Sequence, residues 1–389
     1  MPLTSLPTPT ADSDAASFAH PAGAHEEISA QRLRAAKPAY TTRFLAQELA
    51  RDADGYTLVR GDAVAPRPGD IVLAAVTKIG HHTGIELPGG RKSLLHVGDE
   101  VLVAYGNRYA PDQFEAEVPA DLGPAHLVAA GGIASRALSR HSAIKEATQL
   151  RPVGLLARAG AVLRLGDFAP LTIDVGAPTP VTPRRPAVVA VLGTSMNSGK
   201  TTSAAALVRG ISAAGYRVAA CKATGTGAGG DPGQFTDSGA ARVLDFTDFG
   251  CPSTYLLDHG TVRDLFASML AAAGAPLPTG DPIDVVVVEI ADGLFQRETA
   301  ALVADAVFAR HVHHVVFASG DAMGAVGGVA RLEAAGRTAA LLTGRMTMSP
   351  LATAEARAAL SLPVLTVQEI ATAEVVRHLP ALADVRVAS

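Results

Sequence analysis

Val188-Val189-Ala190-Val191-Leu192-Gly193-Thr194-Ser195-Met196-Asn197-Ser198-Gly199-Lys200-Thr201 is the stretch that decides the fold. Its first five residues are apolar and mostly β-branched, as in a strand buried on both faces. The next nine end in the G-K-[ST] of the phosphate-loop motif G-x-x-x-x-G-K-[ST], with five residues rather than four between Gly193 and Gly199, and a helix-compatible segment follows from 200 to about 214. Strand, glycine loop and helix in that order form a phosphate cradle. The glycines let successive backbone N–H groups turn toward an anion, and the new helix adds its free N–H groups and positive dipole end. Gly193, Asn197, Ser198, Gly199, Lys200, Thr201 and Thr202 are therefore the expected nucleotide-binding residues. Lys200 would neutralise the β and γ oxygens, and the Thr201 hydroxyl would ligate magnesium.

Downstream, strand and helix patterns alternate. Strands are expected at 218–221, 283–290, 314–318, 338–342 and 363–366. Thr261-Val262-Arg263-Asp264 reads as a capping box opening a helix, and Ser349-Pro350 as a cap with an N1 proline before a helix ending near Leu360. Such alternation with fully apolar strands predicts an α/β domain with a mostly parallel sheet, covered on both faces, over 187–389.

In open parallel sheets, ligands bind at the carboxyl ends of the strands. Two charged residues fall there. Lys222 ends the strand at 218–221 and leads into Ala223-Thr224-Gly225-Thr226-Gly227, where the glycines permit close backbone approach. Glu289 follows four valines and must meet a cation or a partner. It is the expected magnesium-site acid, with Asp292 as the runner-up. Asp237, in Thr236-Asp237-Ser238-Gly239, is either a helix N-cap or a magnesium ligand.

These residues resemble the dethiobiotin synthetase-like branch of P-loop proteins. In that branch a loop lysine, a second lysine ending the next strand in K-P-V-x-[ST]-G, an aspartate and a strand-end glutamate form an ATP–magnesium site. The matching positions are Lys200, Lys222 with Thr226, Asp237 and Glu289. Alanine replaces proline after Lys222, and Glu-Ile-Ala-Asp-Gly replaces the synthetase's E-G-A-G-G. The stretch from Ala223 to Asp237 and on to Phe246 also resembles the P-loop half of an uncharacterised bacterial family labelled a domain of unknown function. Some of its members are associated with D-amino-acid N-acylation. The resemblance covers roughly 186–370. It implies ATP and Mg2+ as cofactors, a homodimer, and Lys200, Lys222 and Glu289 as the catalytic set. The function it implies is ATP-dependent action on a small metabolite, by phosphoryl transfer or by activation of a carboxylate or carbamate. A nucleotide-dependent switch ATPase or GTPase, and an amino-acid N-acyltransferase, are the alternatives.

N-terminal to this domain the pattern changes. Residues 1–28 mix Pro, Ser, Thr and Ala without periodicity and read as a disordered lead. Residues 29–175 read as a small β-rich, barrel-like domain with flanking helices, at 29–52 and near 136–150. Residues 176–186 are proline-rich and read as a linker. Weaker candidates are His81-His82 for substrate contact, Asn107-Arg108-Tyr109 for contact with a substrate or the other domain, the cluster His311, His313 and His314 for metal binding, and the βα loop Ser319 to Gly324 for contact with base, ribose or substrate.

The chain has 389 residues, 48% of them hydrophobic, with mean hydropathy +0.24. Its net charge of −4 argues against a nucleic-acid surface. Two cysteines, Cys221 and Cys251, make no disulfide framework and suit a reducing compartment. No apolar run has membrane length and no secretory leader pattern opens the sequence, so a cytoplasmic protein is expected.

Overall fold

The computed structural model describes residues 23–176 and 186–387. Most of the expected lead and linker lies outside these ranges. The lead's last residues, however, form strand Ala24–Glu27, antiparallel to Tyr56–Arg60.

The C-terminal half is built on six parallel strands. Their order across the sheet is Arg242–Asp245, Val218–Thr224, Val285–Ile290, Ala187–Gly193, His314–Ala318 and Ala339–Thr343. Every neighbouring pair is parallel. The loop strand Ala187–Gly193 is wholly buried, and its alternate residues feed two different cores. Val188, Ala190 and Leu192 pack with helix His259–Gly274, through Val262, Leu265 and Phe266. Val189 and Val191 pack with the loop helix Lys200–Ala213, through Ala204, Leu207 and Ile211. A strand sandwiched in this way must be apolar on both sides, which is why its sequence is a run rather than an alternation.

The N-terminal half is a barrel. Strands Thr148–Arg158, Ile71–Lys78, Glu100–Tyr105, Ile133–Arg140 and Ala125–Ala129 pair in that order, and the last pairs back to the first. Closure removes free edges from the ring. Its interior holds Val72, Val76, Val103, Tyr105, Leu127 and Leu150. Strand Thr148–Arg158 serves both the ring and strand Tyr56–Arg60, and its register shifts between Pro152 and Gly154. A Cβ on Gly154 would lie 2.9 Å from the Leu58 Cβ, so only glycine allows this close approach.

Several local expectations need correction. The region near 136–150 is not helical: it holds the end of strand Ile133–Arg140, a turn, and the start of Thr148–Arg158. Its Ala, Leu, Lys and Glu favour helix locally, but ladder partners at Phe114–Glu117 and Ile71–Lys78 override that preference. The helix expected over 29–52 is two, Ala30–Ala35 and Arg43–Arg51, parted by the short strand Lys37–Pro38. Proline lacks the N–H a continuous helix would need. Helix His259–Gly274 starts before Thr261, because Asp258 is its cap and accepts from the Thr261 N–H at 2.9 Å. Residues 363–366 make a single bridge, Val364 to Leu342, rather than a strand. Ser349 does cap the helix Pro350–Ala359, accepting from Ala352.

Candidate nucleotide site

The site is assembled where the loop strand ends. Gly193 closes that strand against Ala318, and a Cβ there would come within 2.3 Å of the Ser198 Oγ. Asn197 and Gly199 take positive φ, 62° and 97°, which turns the loop back over the strand end. Gly199 caps the helix in this left-handed conformation, so the first helical N–H groups, from Lys200 onward, have no intrahelical acceptor. Two glycines from other loops brace the turn. A Cβ on Gly293 would lie 2.3 Å from the Thr194 oxygen, and one on Gly344 would lie 2.6 Å from the Ser198 oxygen.

A cavity of about 510 Å³ opens beside the loop. Lys200, Thr201, Thr202, Asn197 and Gly199 line one side, Lys222, Asp231, Glu289 and Asp292 another, and Gly344, Arg345, Met348 and Val367 the rim. Sheet register explains the central cluster: Glu289 is level with Val191 on one neighbour and with Lys222 on the other. The Thr201 hydroxyl donates to Glu289 Oε1 at 3.0 Å. Lys222 Nζ lies 4.0 Å from the same oxygen and is bonded to Asp231. Lys200 Nζ donates to the Ser195 carbonyl at 2.8 Å, folded back on its own loop.

The electrostatics show how few charges are balanced. Burial raises the Glu289 carboxyl above its ordinary range, although Lys222 and Lys200 oppose this. Burial lowers the Lys200 ammonium, against the pull of Glu289 and Asp292. Burial would lower Lys222 too, but Glu289 and Asp231 outweigh it and hold that ammonium above the usual lysine range. Asp292 is raised by burial, with Lys200, Lys222 and Arg108 only partly compensating. Glu289 is 2% exposed, and its Oε2 is buried with no hydrogen-bond partner, as is the Ser198 Oγ. A buried acceptor left unpaired costs about 1–3 kcal/mol. A cation or a donor arriving at Glu289 removes that cost.

That orphaned oxygen and the Thr201 hydroxyl fit a magnesium ion carried in on phosphates. Such an ion keeps waters and phosphate oxygens in its shell and needs only one or two protein oxygens. Among the described residues, no group of three or more His, Cys, Asp or Glu side chains could hold a metal ion by itself.

The other expected residues are placed as follows. Gly193, Asn197, Ser198, Gly199, Lys200, Thr201 and Thr202 all belong to the loop and its helix start. Asp237 is not brought to the cluster. It is the exposed last residue of helix Gly230–Asp237, and Asp231, in that helix's first turn, stands beside Lys222 instead. Thr226 bridges to Ser253 and does not line the cavity. His313 Nδ1 accepts from the Val188 N–H, and His314 Nε2 from the Ala381 N–H. Both lie at strand starts, the end of the sheet away from the loop. Ser319 is buried and its Oγ donates to the Asp321 carbonyl, so it shapes its own loop.

The barrel domain's part in the site was legible in the sequence only through Asn107-Arg108-Tyr109, a candidate contact with a substrate or the other domain. The barrel packs on the carboxyl edge of the sheet, against the loops that form the site. Asp112 Oδ2 accepts from Asn197 Nδ2 at 2.7 Å. Glu86 Oε2 accepts from the Gly229 N–H at 2.9 Å. The Tyr40 hydroxyl donates to Asp245 at 2.6 Å, and Arg43 donates to Thr247 at 2.7 Å and to Asp248 at 2.6 Å. The Tyr109 and Tyr255 rings meet at 5.5 Å.

The chain matches no protein-family model and no curated protein. Solved structures similar to it include the signal recognition particle receptor FtsY from Elizabethkingia anophelis, at 18% identity and TM-score 0.29, covering 43% of this chain and 52% of that one. The signal recognition particle 54 kDa protein from Aeropyrum pernix K1, in complex with GDP, has 18% identity and TM-score 0.31 over 55% of this chain and 50% of that one. The FtsY from Elizabethkingia anophelis in complex with GDP has 16% identity and TM-score 0.30, over 53% and 64%. The chain thus covers between 50% and 64% of the length of these structures. At such TM-scores the functional reading stands on the site's own geometry. Among the described residues no helix is long and apolar enough to cross a membrane.

Proposed function

We propose that this chain is a magnesium-dependent P-loop nucleoside triphosphatase whose barrel domain reads the state of the phosphate site. The bond from Asn197 of the phosphate loop to Asp112 of the barrel carries this reading. A domain that merely covered the fold would not need to hold the loop itself.

The chain's own groups suggest how this works. Lys200 gives up the Ser195 carbonyl and donates to phosphate oxygens instead. Lys222 is shared between Asp231 and Glu289, so an arriving phosphate competes with Asp231 for it. Asp231 opens the helix Gly230–Asp237, and the neighbouring Gly229 N–H is held by Glu86 of the barrel. A change at Lys222 thereby reaches the barrel through one short segment. Glu289 and the Thr201 hydroxyl would hold magnesium, which supplies positive charge to the phosphate oxygens when bound.

A second reading is an ATP-dependent kinase or ligase on a small metabolite, for which ATP hydrolysis alone is a side reaction. The cavity favours it, since Lys222, Asp231 and Asp292 line space beyond the loop where an acceptor fits. The dethiobiotin synthetase-like resemblance supports this second reading.

Turnover of γ-labelled ATP and GTP by wild type, Lys200→Ala and Glu289→Gln tests the proposal. Slow magnesium-dependent phosphate release by the wild type is expected, with both variants reduced at least about 100-fold. Label transferred to an added pool of amino acids or hydroxy metabolites would favour the second reading. Wild type that neither binds nor turns over either nucleotide would refute both.

A further inference from the structure

Arg108 of the barrel domain is 5% exposed and poorly satisfied. Its guanidinium has five N–H donors in a planar fork. Nη2 donates to Gln113 Oε1 at 2.8 Å, and Nη1 lies 3.2 Å from His82 Nε2. That same Nε2 lies 3.0 Å from the Val128 carbonyl oxygen. One ring nitrogen does not serve both neighbours. With a proton it donates to Val128 and opposes an Arg108 N–H; without one it accepts from Arg108 and sets lone pair against lone pair at Val128. Burial and the charge of Arg108 push His82 down to about 3, so the ring is neutral and this conflict persists near pH 7. The Arg108 Nε is buried with no partner at all. Among the described residues Arg108 forms no ion pair.

Its position makes this shortfall informative. The two carboxylates whose field acts on Arg108 are Asp112 and Asp292. Asp112 is the residue bonded to Asn197 of the loop, and Asp292 lines the cavity. Gly106, two residues earlier, packs against Pro252, and the next residue, Tyr109, packs on Tyr255. Arg108 therefore stands at the wall where the barrel meets the phosphate loop. A buried guanidinium without an ion pair destabilises the ligand-free protein, and a bound oxyanion would offset that.

We propose that Arg108 is an oxyanion-recognising residue supplied by the barrel, which leaves its contested bond with His82 to meet the terminal phosphate of the nucleotide held by the loop. This rests on the nucleotide reading above and names the group through which the barrel senses the triphosphate. The same chemistry would suit a free phosphate, so the test separates the two sources.

Binding and thermal unfolding are measured with magnesium and a non-hydrolysable ATP or GTP analogue, with the diphosphate, and with inorganic phosphate alone. The proteins are wild type, Lys200→Ala, Arg108→Gln and Arg108→Lys. Expected is that Arg108→Gln weakens the triphosphate analogue about tenfold, leaves the diphosphate unchanged, and melts no lower than wild type without ligand. If Arg108→Gln does not fold, Arg108→Lys decides, because it keeps the charge but not the fork; the same selective weakening is expected. Equal loss for diphosphate and triphosphate, with lost stabilisation by free phosphate, would overturn the terminal-phosphate assignment in favour of a free oxyanion. A lower melting point with every ligand bound as in wild type would make Arg108 a structural residue and overturn the proposal. If wild type and Lys200→Ala both ignore nucleotides, the nucleotide reading fails separately. Arg108 as the terminal-phosphate sensor falls with it, and the phosphate arm then shows whether any oxyanion recognition survives.

Discussion

Asp292 illustrates how a single side chain reports on the site. Burial raises its carboxyl above the ordinary value of 3.8. A carboxyl raised on folding binds its proton more tightly in the native state than in the unfolded one. The stability it contributes is complete below 3.8 and falls as pH climbs through the raised native value. Asp292→Asn removes that slope. In urea unfolding across about pH 4 to about pH 7, the asparagine variant should gain stability relative to wild type as the pH rises. A difference that stays flat with pH would mean that Asp292 is not held in this environment. At this scale the sequence was informative where chemistry is tied to a motif or a strand end, as at Lys200, Thr201, Lys222 and Glu289. It was silent on Asp231, because the partner of Lys222 is chosen by how the segment after Gly225 turns. Only the folded chain shows that Asp231 rather than Asp237 faces the lysine. The buried state of Arg108 was equally hidden, since it depends on a turn from another strand pair delivering His82.

Elements were legible in proportion to how local their causes are. The loop strand, its helix and the strand of valines follow from apolar runs and glycine placement, and they appear where expected. Helix starts were less secure, because any acid or hydroxyl within a few residues competes to be the cap. Asp258 wins over Thr261 by accepting that residue's own N–H. Asp258→Ala should therefore cost about 1 kcal/mol in denaturant unfolding, with the m-value unchanged. Thr261→Ala, which spares the backbone donor, should cost less. Equal costs would restore the cap to Thr261. The misread segment near 136–150 has the opposite lesson: its residues favour helix, and the barrel's need to close recruits them as strand.

For the whole molecule, the barrel is bonded to the loops that form the site. Four of its residues are committed to this. Tyr40 and Arg43 engage the segment 245–248, Glu86 holds Gly229, and Asp112 holds Asn197. Arg43 also forms ion pairs with Asp245 and Asp248, at 3.8 Å and 2.6 Å. The segment 245–248 and the barrel are therefore joined by buried charge as well as by packing. None of these contacts was legible in the sequence, because partners about 85 to 205 residues apart leave no local pattern. The central claim is that the barrel senses the phosphate site, and hydrogen exchange tests it directly. Backbone exchange would be followed with magnesium and a non-hydrolysable triphosphate, with the diphosphate, and without nucleotide. The account predicts protection of 193–202 by both nucleotides, and of barrel segments 40–43 and 106–112 by the triphosphate alone. Protection confined to the nucleotide domain, or identical in the barrel for both nucleotides, would contradict it.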